Sequence, residues 1–182
     1  LSAETFFDQI VCTAVAARAM VEGENFYFGR GRQGDIPTLR ELCRIRAMEL
    51  NVVPPISFDG QPVSSSYIRN LLAQGDVATA ARMLTRPYRL RGMVTHGAGR
   101  GAKLGFPTAN LEAIDTLIPA DGVYGGVARV NGRQHAAAIH IGPNPTFEEM
   151  HKKVEIHLVD HTETLYGMPL EVDSVSYTPL TL

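Results

Sequence analysis

Cysteine is scarce in this chain, whose 182 residues include only Cys12 and Cys43. The two lie far apart in segments where apolar residues recur at helical spacing, with no CxxC pair and no histidine nearby. This usage argues against a disulfide framework and against a structural zinc site. Both thiols are expected to be buried and reduced.

A long apolar run and an excess of basic charge are also missing. No apolar run approaches the roughly 18 residues that a membrane-spanning helix needs, and the start of the chain has no basic flank followed by an apolar stretch. The net charge is −2, so no global field attracts nucleic acid or an anionic membrane. We expect a cytoplasmic protein that acts on small molecules and binds neither nucleic acid nor a membrane. The sequence predicts no particular oligomeric state.

Residues 1–85 have the pattern of an α/β segment. Apolar residues recur at helical spacing near the start and again in "TLRELCRIRAMEL", and "NVVPPISF" over residues 51–58 predicts a strand with prolines at its edge. The run "SSSYIRNLLAQGD" predicts a serine-capped helix that stops at Gly75. A second helix, capped by Asp76, is expected to end near Leu84.

The pattern changes near Arg86, and residues 86–182 are typical of an antiparallel β domain. Short β-like runs alternate with Gly, Pro, Asn and Asp, and Asn131-Gly132 between two of them predicts a hairpin. Further strands are predicted at "KVEIHLVD" and "LEVDSVSY". Several strands without intervening helices predict a small antiparallel sandwich or barrel.

A glycine-rich loop, "GENFYFGRGRQGD", follows the end of a predicted strand. Loops at the carboxyl edge of α/β strands bind ligands, so Arg30 and Arg32 are candidates to meet a phosphate, and Phe26 or Phe28 to pack on a ring. A solvated connecting loop is one alternative. A nucleic-acid contact through the Arg-Gly pairs is a second, weaker one because no wider basic stripe accompanies them.

Three serines, Ser64, Ser65 and Ser66, precede a predicted helix that carries Arg69 near its start. A helix N-terminus presents unpaired amides and a partial positive charge, so hydroxyls and a cation placed there can bind phosphate. Plain helix capping explains the serines equally well, and both interpretations stay open.

The most specific run is "HGAGRGAKLGFPTANL". Thr108 and Asn110 should face one side of an extended segment, where an oxygen pair can complete the shell of a Mg²⁺ that also binds nucleotide phosphates. The run is neither a Walker A loop nor GxGxxG. A surface turn followed by an ordinary strand is the alternative. The candidate phosphate-binding residues before the pair are Gly97, Gly99, Gly101, Lys103 and Gly105.

A single acid, Glu155, lies between Val154 and Ile156. In a strand, alternation places Glu155 on the opposite face from its two apolar neighbours. A general base is predicted if that face lines a cleft, and an ordinary surface residue is predicted if it faces solvent.

In this order, the motifs together resemble the bifunctional riboflavin kinase/FMN adenylyltransferases (FAD synthetases) of bacteria, over nearly the whole chain to about Val172. "GFPTANL", the glutamate-bearing strand and the later "LYG" are the most specific. The resemblance implies that residues 86–182 form a Greek-key β-barrel that transfers the γ-phosphoryl group of ATP to the 5′-hydroxyl of riboflavin, giving FMN. It also implies that Thr108 and Asn110 bind Mg²⁺ and phosphate, and that Glu155 deprotonates the ribityl hydroxyl.

By the same resemblance, residues 1–85 are the carboxyl part of a Rossmann-like adenylyltransferase domain that moves AMP from ATP onto FMN. The family's HxGH-type loop does not precede Leu1, and its closing helix does not follow "SVSYTPLTL". A piece of such an enzyme is therefore expected, without adenylyl transfer. A flavin- or nucleotide-binding fragment without turnover is the alternative. The resemblance assigns Asn25, Phe26 and Phe28 to a flavin-side loop, and Ser64, Ser65, Ser66 and Arg69 to a phosphate motif.

Overall fold

The structure is a computed structural model that describes residues 1–97, 106–144 and 149–179. The chain divides into two compact units, Leu1–Pro62 and Val63–Leu182. Within the described ranges, no helix has the length and apolar character needed to cross a membrane. Four residues of the predicted phosphate loop lie outside the described residues: Gly99, Gly101, Lys103 and Gly105.

The first unit packs two helical segments against a small parallel sheet. Asp35 begins the second helix, because its Oδ1 accepts a hydrogen bond of 2.9 Å from the backbone N–H of Thr38. The elements are α1 (Ala3–Phe6), which continues as a π-helix (Phe7–Ala14), β1 (Ala19–Gly23), a 3₁₀ turn (Arg30–Arg32), α2 (Ile36–Ile45), β2 (Glu49–Val53), β3 (Ser57–Phe58) and β4 (Gln61–Pro62). Strands β1 and β2 are parallel, and β3 and β4 form a short hairpin. The buried core is Ala3, Phe7, Val11, Phe28, Leu39 and Cys43.

Two expectations about this unit are wrong in detail. The predicted strand over residues 51–58 is two elements, since β2 ends at Val53 and β3 begins at Ser57. Pro54 and Pro55 lie between them and lack the N–H that a continuing ladder needs. Only one of the two thiols is buried: Cys43 is, whereas Cys12 is half-exposed.

The helices α3 (Ser65–Ala73) and α4 (Val77–Leu84) confirm the predicted pair. Gly75 between them has a φ of +83°, and a Cβ at this position would come within 2.6 Å of the Tyr177 ring, so both conformation and space require glycine. By contacts both helices belong to the second unit. The module boundary that the sequence suggests near Arg86 stays a prediction.

The second unit is built on a closed antiparallel barrel. Its strands are β5 (Tyr88–Thr95), β6 (Thr108–Glu112), β7 (Gly122–Val130), β8 (Arg133–Asn144), β9 (Glu149–Leu158) and β10 (Pro169–Pro179). They close in the order β10-β5-β6-β9-β8-β7. Strands β7, β8 and β9 are sequential neighbours, and β10 returns to lie beside β7, which is a Greek key. The predicted hairpin joins β7 to β8, with positive φ at both Asn131 and Gly132.

Alternation along the strands gives the barrel an apolar interior. Residues at every second position point inward, so the strands alone supply a core. The buried interior residues include Leu90, Val94, Leu111, Tyr124, Ala128, Ile139, Ile141, Val154, Ile156, Leu158, Leu170 and Val172.

Candidate functional site

One row of directly paired residues crosses four strands on the outer face of the barrel. Asn110 on β6 pairs with Thr95 on β5 and with Glu155 on β9, and Glu155 pairs with His140 on β8. Directly opposed residues of antiparallel strands project to the same face. The four side chains therefore stand side by side, each half-buried. We call Thr95, Asn110, Glu155 and His140 the polar row.

Glu155 lies on the face that strand alternation predicts. Val154 and Ile156 are 3% and 1% exposed inside the barrel, and Glu155 points the other way. Its side chain is nevertheless only 23% exposed, and one carboxylate oxygen, Oε2, lies 3.9 Å from Nδ1 of His140. A carboxylate on an outer face that is three-quarters covered occupies a partly enclosed site.

The two ends of the polar row have unused hydrogen-bonding capacity. Thr95 Oγ1 and His140 Nδ1 are both buried, and neither has a hydrogen-bond partner among the described residues. Buried polar atoms in folded proteins are nearly always paired with protein, water or ligand. The row therefore holds buried polar atoms that make no hydrogen bond to the described residues in this arrangement.

Thr108 lies in the next row, directly opposite His157. The position of Thr108 is fixed by its neighbour, because His157 Nδ1 donates a 2.9 Å hydrogen bond to the carbonyl oxygen of Pro107. The Phe106 ring contacts the same imidazole edge-on, with ring centroids 5.5 Å apart. Thr108 and Asn110, two positions apart on β6, share the outer face as predicted.

Gly97 shows why the loop before Thr108 needs a glycine at its start. A Cβ at residue 97 would lie 2.0 Å from Nδ2 of Asn110, which no side chain could tolerate. The Asn110 amide therefore packs directly on the backbone of Gly97. The described end of the predicted phosphate loop is thereby placed beside the polar row.

The fit of Mg²⁺ to these donors can be judged from their chemistry. Across the described ranges, no group of three or more His, Cys, Asp or Glu side chains is arranged to hold a metal ion. Thr95, Thr108 and Asn110 offer neutral oxygens instead. Such a donor set suits a Mg²⁺ that keeps several waters and is held mainly by nucleotide phosphates, and it does not suit a metal caged by protein alone.

Two pockets adjoin these residues. The first, of about 210 Å³, includes Thr108 and has a mixed lining, apolar at Ile156 and Leu165 and polar at Thr162 and Glu163. His161 also lines it, and its Nε2 is buried without a hydrogen-bond partner in the part of the chain that the structure describes. The second, of about 570 Å³, includes Gly97, Asn110, Glu112 and Lys152. The rings of His96, which lines the second pocket, and Tyr166, which lines the first, stack at 3.8 Å.

The candidates from the flavin-side loop lie in the first unit. Phe28 is 6% exposed and belongs to the core, with Phe26 stacked on it at 5.5 Å. Asn25 is exposed in the turn after β1. Arg30 is exposed as well, and the Arg32 guanidinium lies 4.5 Å over the ring of Tyr27. The Phe28 ring therefore packs in the core of the first unit.

The serine candidates lie at the start of α3 in the second unit. Ser64 is the helix cap, because its Oγ accepts a 3.2 Å hydrogen bond from the backbone N–H of Tyr67. Ser65, Ser66 and Arg69 are exposed beside it. Capping accounts for Ser64, and the phosphate-binding role of the group stays a prediction.

Sequence reasoning missed Thr95, His140 and His161. Thr95 directly precedes the run "HGAGRG", His161 lies between the glutamate-bearing strand and "LYG", and His140 lies in an apolar run. No pattern in the sequence marks any of the three as a site residue. The place of each at the site depends on which strands are neighbours and in which register, and a local pattern does not carry that information. Only a prediction of the pairing of β5, β6, β9 and β8 would have found the first two.

The sequence model for riboflavin kinase matches residues 84–178, just over half of the chain. The chain belongs to the riboflavin kinase family. A second family model, FAD synthetase, matches residues 1–67. The barrel with its polar row is therefore the riboflavin kinase part of the chain, and the first unit lies within the FAD synthetase part.

Curated relatives carry both names. Bifunctional riboflavin kinase/FMN adenylyltransferases of Pseudomonas fluorescens and Bacillus subtilis are 34% and 33% identical over 94% and 95% of this chain. The matches cover 56% and 55% of those proteins, so the chain spans about half the length of the curated relatives it matches. A crystal structure described as a macrolide-efflux protein of Streptococcus pneumoniae has a TM-score of 0.87 at 30% identity, covering 100% of this chain and 59% of that one.

Proposed function

We propose that this chain is part of a flavin-cofactor enzyme of the cytoplasm, and that its barrel phosphorylates riboflavin with ATP to give FMN and ADP. The observation that carries this proposal is the meeting of Thr108, Asn110 and Glu155 on one outer face. One pocket includes Thr108 and the other includes Asn110. The two substrates could therefore bind in separate pockets that both adjoin this pair of residues. Family membership makes riboflavin and ATP the substrates to test.

The reaction needs a base and a stabilised phosphoryl group. The 5′-hydroxyl oxygen of riboflavin forms a bond to the γ-phosphorus, the bond from that phosphorus to the bridging oxygen breaks, and ADP leaves. The proton of the hydroxyl passes to Glu155 and then to solvent. A partly enclosed carboxylate, held next to Asn110 by strand pairing, is suited to accept it.

The oxygens of Thr108 and Asn110 would hold Mg²⁺ together with the nucleotide phosphates. Bound there, the ion would neutralise negative charge on the transferred group. The residues themselves orient the nucleotide: Asn110 is fixed against Gly97, and Thr108 follows a proline whose carbonyl is held by His157. Positioning of this kind supplies much of the catalysis in phosphoryl transfer.

We further propose that the first unit is the carboxyl part of an FMN adenylyltransferase domain in a longer parent protein. The match of residues 1–67 to FAD synthetase supports it. In that role Asn25 and Phe26 are candidates for the flavin side, and Ser64, Ser65, Ser66 and Arg69 for phosphate. Phe28 would act there as the packing support of Phe26.

The experiment is a turnover assay beside a binding assay. Purified chain, riboflavin, ATP and Mg²⁺ are incubated, and flavins and nucleotides are separated by chromatography; FMN and ADP are expected in equal amounts. Titration calorimetry with ADP-Mg²⁺ and with riboflavin runs in parallel. Binding without FMN formation would select the non-catalytic fragment. A Glu155→Gln protein purified identically controls for contaminating kinases.

A further inference from the structure

We propose that His140 is a positioning residue that orients Glu155 for proton abstraction. The proposal rests on the role of Glu155 as base given above. In it, the imidazole Nδ1–H donates a hydrogen bond to Oε2 of Glu155. The orientation of the carboxylate then points the other oxygen, Oε1, toward the substrate hydroxyl.

The cross-strand pairing gives His140 only one polar neighbour in its row. His140 on β8 lies directly opposite Glu155 on β9, and on its other side it pairs with Val123 on β7. An imidazole between a carboxylate and an isopropyl group can find a hydrogen-bond acceptor in that row only at the carboxylate. The pairing register of three strands therefore directs His140 toward Glu155.

Burial gives this contact its importance. The two side chains are 25% and 23% exposed, and the Nδ1 atom itself is buried with no hydrogen-bond partner among the described residues. Nδ1 is 3.9 Å from Oε2, so a small side-chain rotation brings them to hydrogen-bond distance. A buried donor left unpaired loses its hydration without compensation, and a bond to a carboxylate is stronger than one to a neutral group.

The expected consequence is on the chemical step. A hydrogen bond to Oε2 restricts rotation of the carboxylate group and so holds Oε1 in one direction, toward the hydroxyl. The substrates are held by the pockets, whose linings include neither His140 nor Val123. Removal of the imidazole should therefore lower kcat and leave KM nearly unchanged.

The kinetic test compares three variants. His140→Ala should lower kcat about tenfold, which corresponds to losing a hydrogen bond to a charged group, with KM within about twofold. His140→Asn should restore most of the rate, since the amide Nδ2 can occupy the place of Nδ1. Val123→Ala, on the apolar side of His140, is the matched control and should keep the wild-type kcat.

A double variant separates positioning from general support of the fold. If His140 acts through Glu155, His140→Ala should cause no further loss of kcat in a Glu155→Gln background. A wild-type kcat in His140→Ala, or losses that multiply in the double variant, would overturn the proposal.

A measurement independent of activity keeps the proposal separate from the proposed function. In ¹⁵N-histidine NMR spectra, His140 should show the tautomer with its proton on Nδ1, and its Nδ1 signal should move in Glu155→Gln. If the wild-type chain makes no FMN, the proposed function fails while this spectrum still decides the contact. A proton on Nε2 and an Nδ1 signal unmoved by Glu155→Gln would refute the role of His140.

Discussion

The two compact units use their side chains in opposite ways. In the barrel, each strand is paired on both edges, and the inward residues of the strands form the core. In the first unit, β1 and β2 pair only with each other among the described residues, and the core of six buried residues takes Phe28 from the glycine-rich loop. A closed sheet leaves its outer side chains available for chemistry, whereas a two-stranded sheet requires loop residues to complete its core.

This contrast bears on how a motif is interpreted. Aromatic rings in a glycine-rich loop suggest ligand contacts, yet the Phe28 ring is buried on Gly34, where a Cβ would come within 2.5 Å of it. A lone glutamate in an apolar strand suggests a solvent-facing residue, yet Glu155 sits in a partly enclosed row. The surrounding sheet, more than the local motif, determines which residues are free to act.

The largest expected effect is on the outer face of the barrel. Glu155→Gln keeps the shape of the side chain and removes its basicity, so the rate of FMN formation should fall by about 10² to 10⁴. ADP-Mg²⁺ affinity should be nearly unchanged, because the substitution leaves Thr108 and Asn110 in place. The measurements are steady-state turnover and calorimetry on the same preparations.

Asp160→Asn is the matched control, since it removes an acidic charge at the exposed turn after β9. It should turn over like the wild type. Normal turnover in Glu155→Gln would instead make Glu155 an ordinary surface residue. The outer face of the barrel would then have no demonstrated role in catalysis.

The next effect tests the first unit. Phe28→Ala should lower the free energy of unfolding by about 3 to 5 kcal/mol, because it empties a buried position between Phe6, Phe26 and Gly34. Tyr27→Ala, at a neighbouring ring that is 49% exposed, should change stability much less. Urea titration monitored by circular dichroism measures both. A stable Phe28→Ala protein with lost flavin binding would show that the ring serves a ligand.

A smaller effect is expected at Thr108. Thr108→Val keeps the branched shape and removes the hydroxyl, so ADP-Mg²⁺ binding should weaken about tenfold while the melting temperature stays close to that of the wild type. Thr108→Ser keeps the hydroxyl and should bind like the wild type. Equal dissociation constants for the valine and serine variants would remove Thr108 from the nucleotide site.

Local rules predicted much of the fold because the relevant physics is local. The ends of two helices are set by the caps Ser64 and Asp76 and by the positive φ of Gly75. Asn131-Gly132 makes the turn between β7 and β8. Alternation alone placed Glu155 opposite Val154 and Ile156. The motif resemblance supplied the Greek-key barrel, which the strand order confirms.

The rest depends on contacts between distant parts of the chain. The pairing of His140 with Glu155, and of Thr95 with Asn110, follows from strand order and register. No local sequence pattern marks His140 or Thr95 as a site residue. The burial of Phe28 depends on Ala3, Phe7 and Leu39, which come from two other segments. Sequence patterns show which residues can do chemistry, and the closed sheet selects those that meet.

The smallest expected effect is a difference in reactivity between the two thiols, both of which lie in the first unit. Burial raises the pKa of Cys43, and the nearby Cys12 adds to the shift. At a pH below that raised pKa less thiolate is present than for an ordinary cysteine, so Cys43 should react slowly with a disulfide reagent at pH 8, and faster as the pH rises. Cys12 is half-exposed and should react first.

Single Cys12→Ser and Cys43→Ser variants assign the two phases, and mild denaturant should accelerate only the Cys43 phase. Equal rates in native buffer would mean that the core holding Cys43 opens readily, which would place its stability far below that expected for a closed barrel.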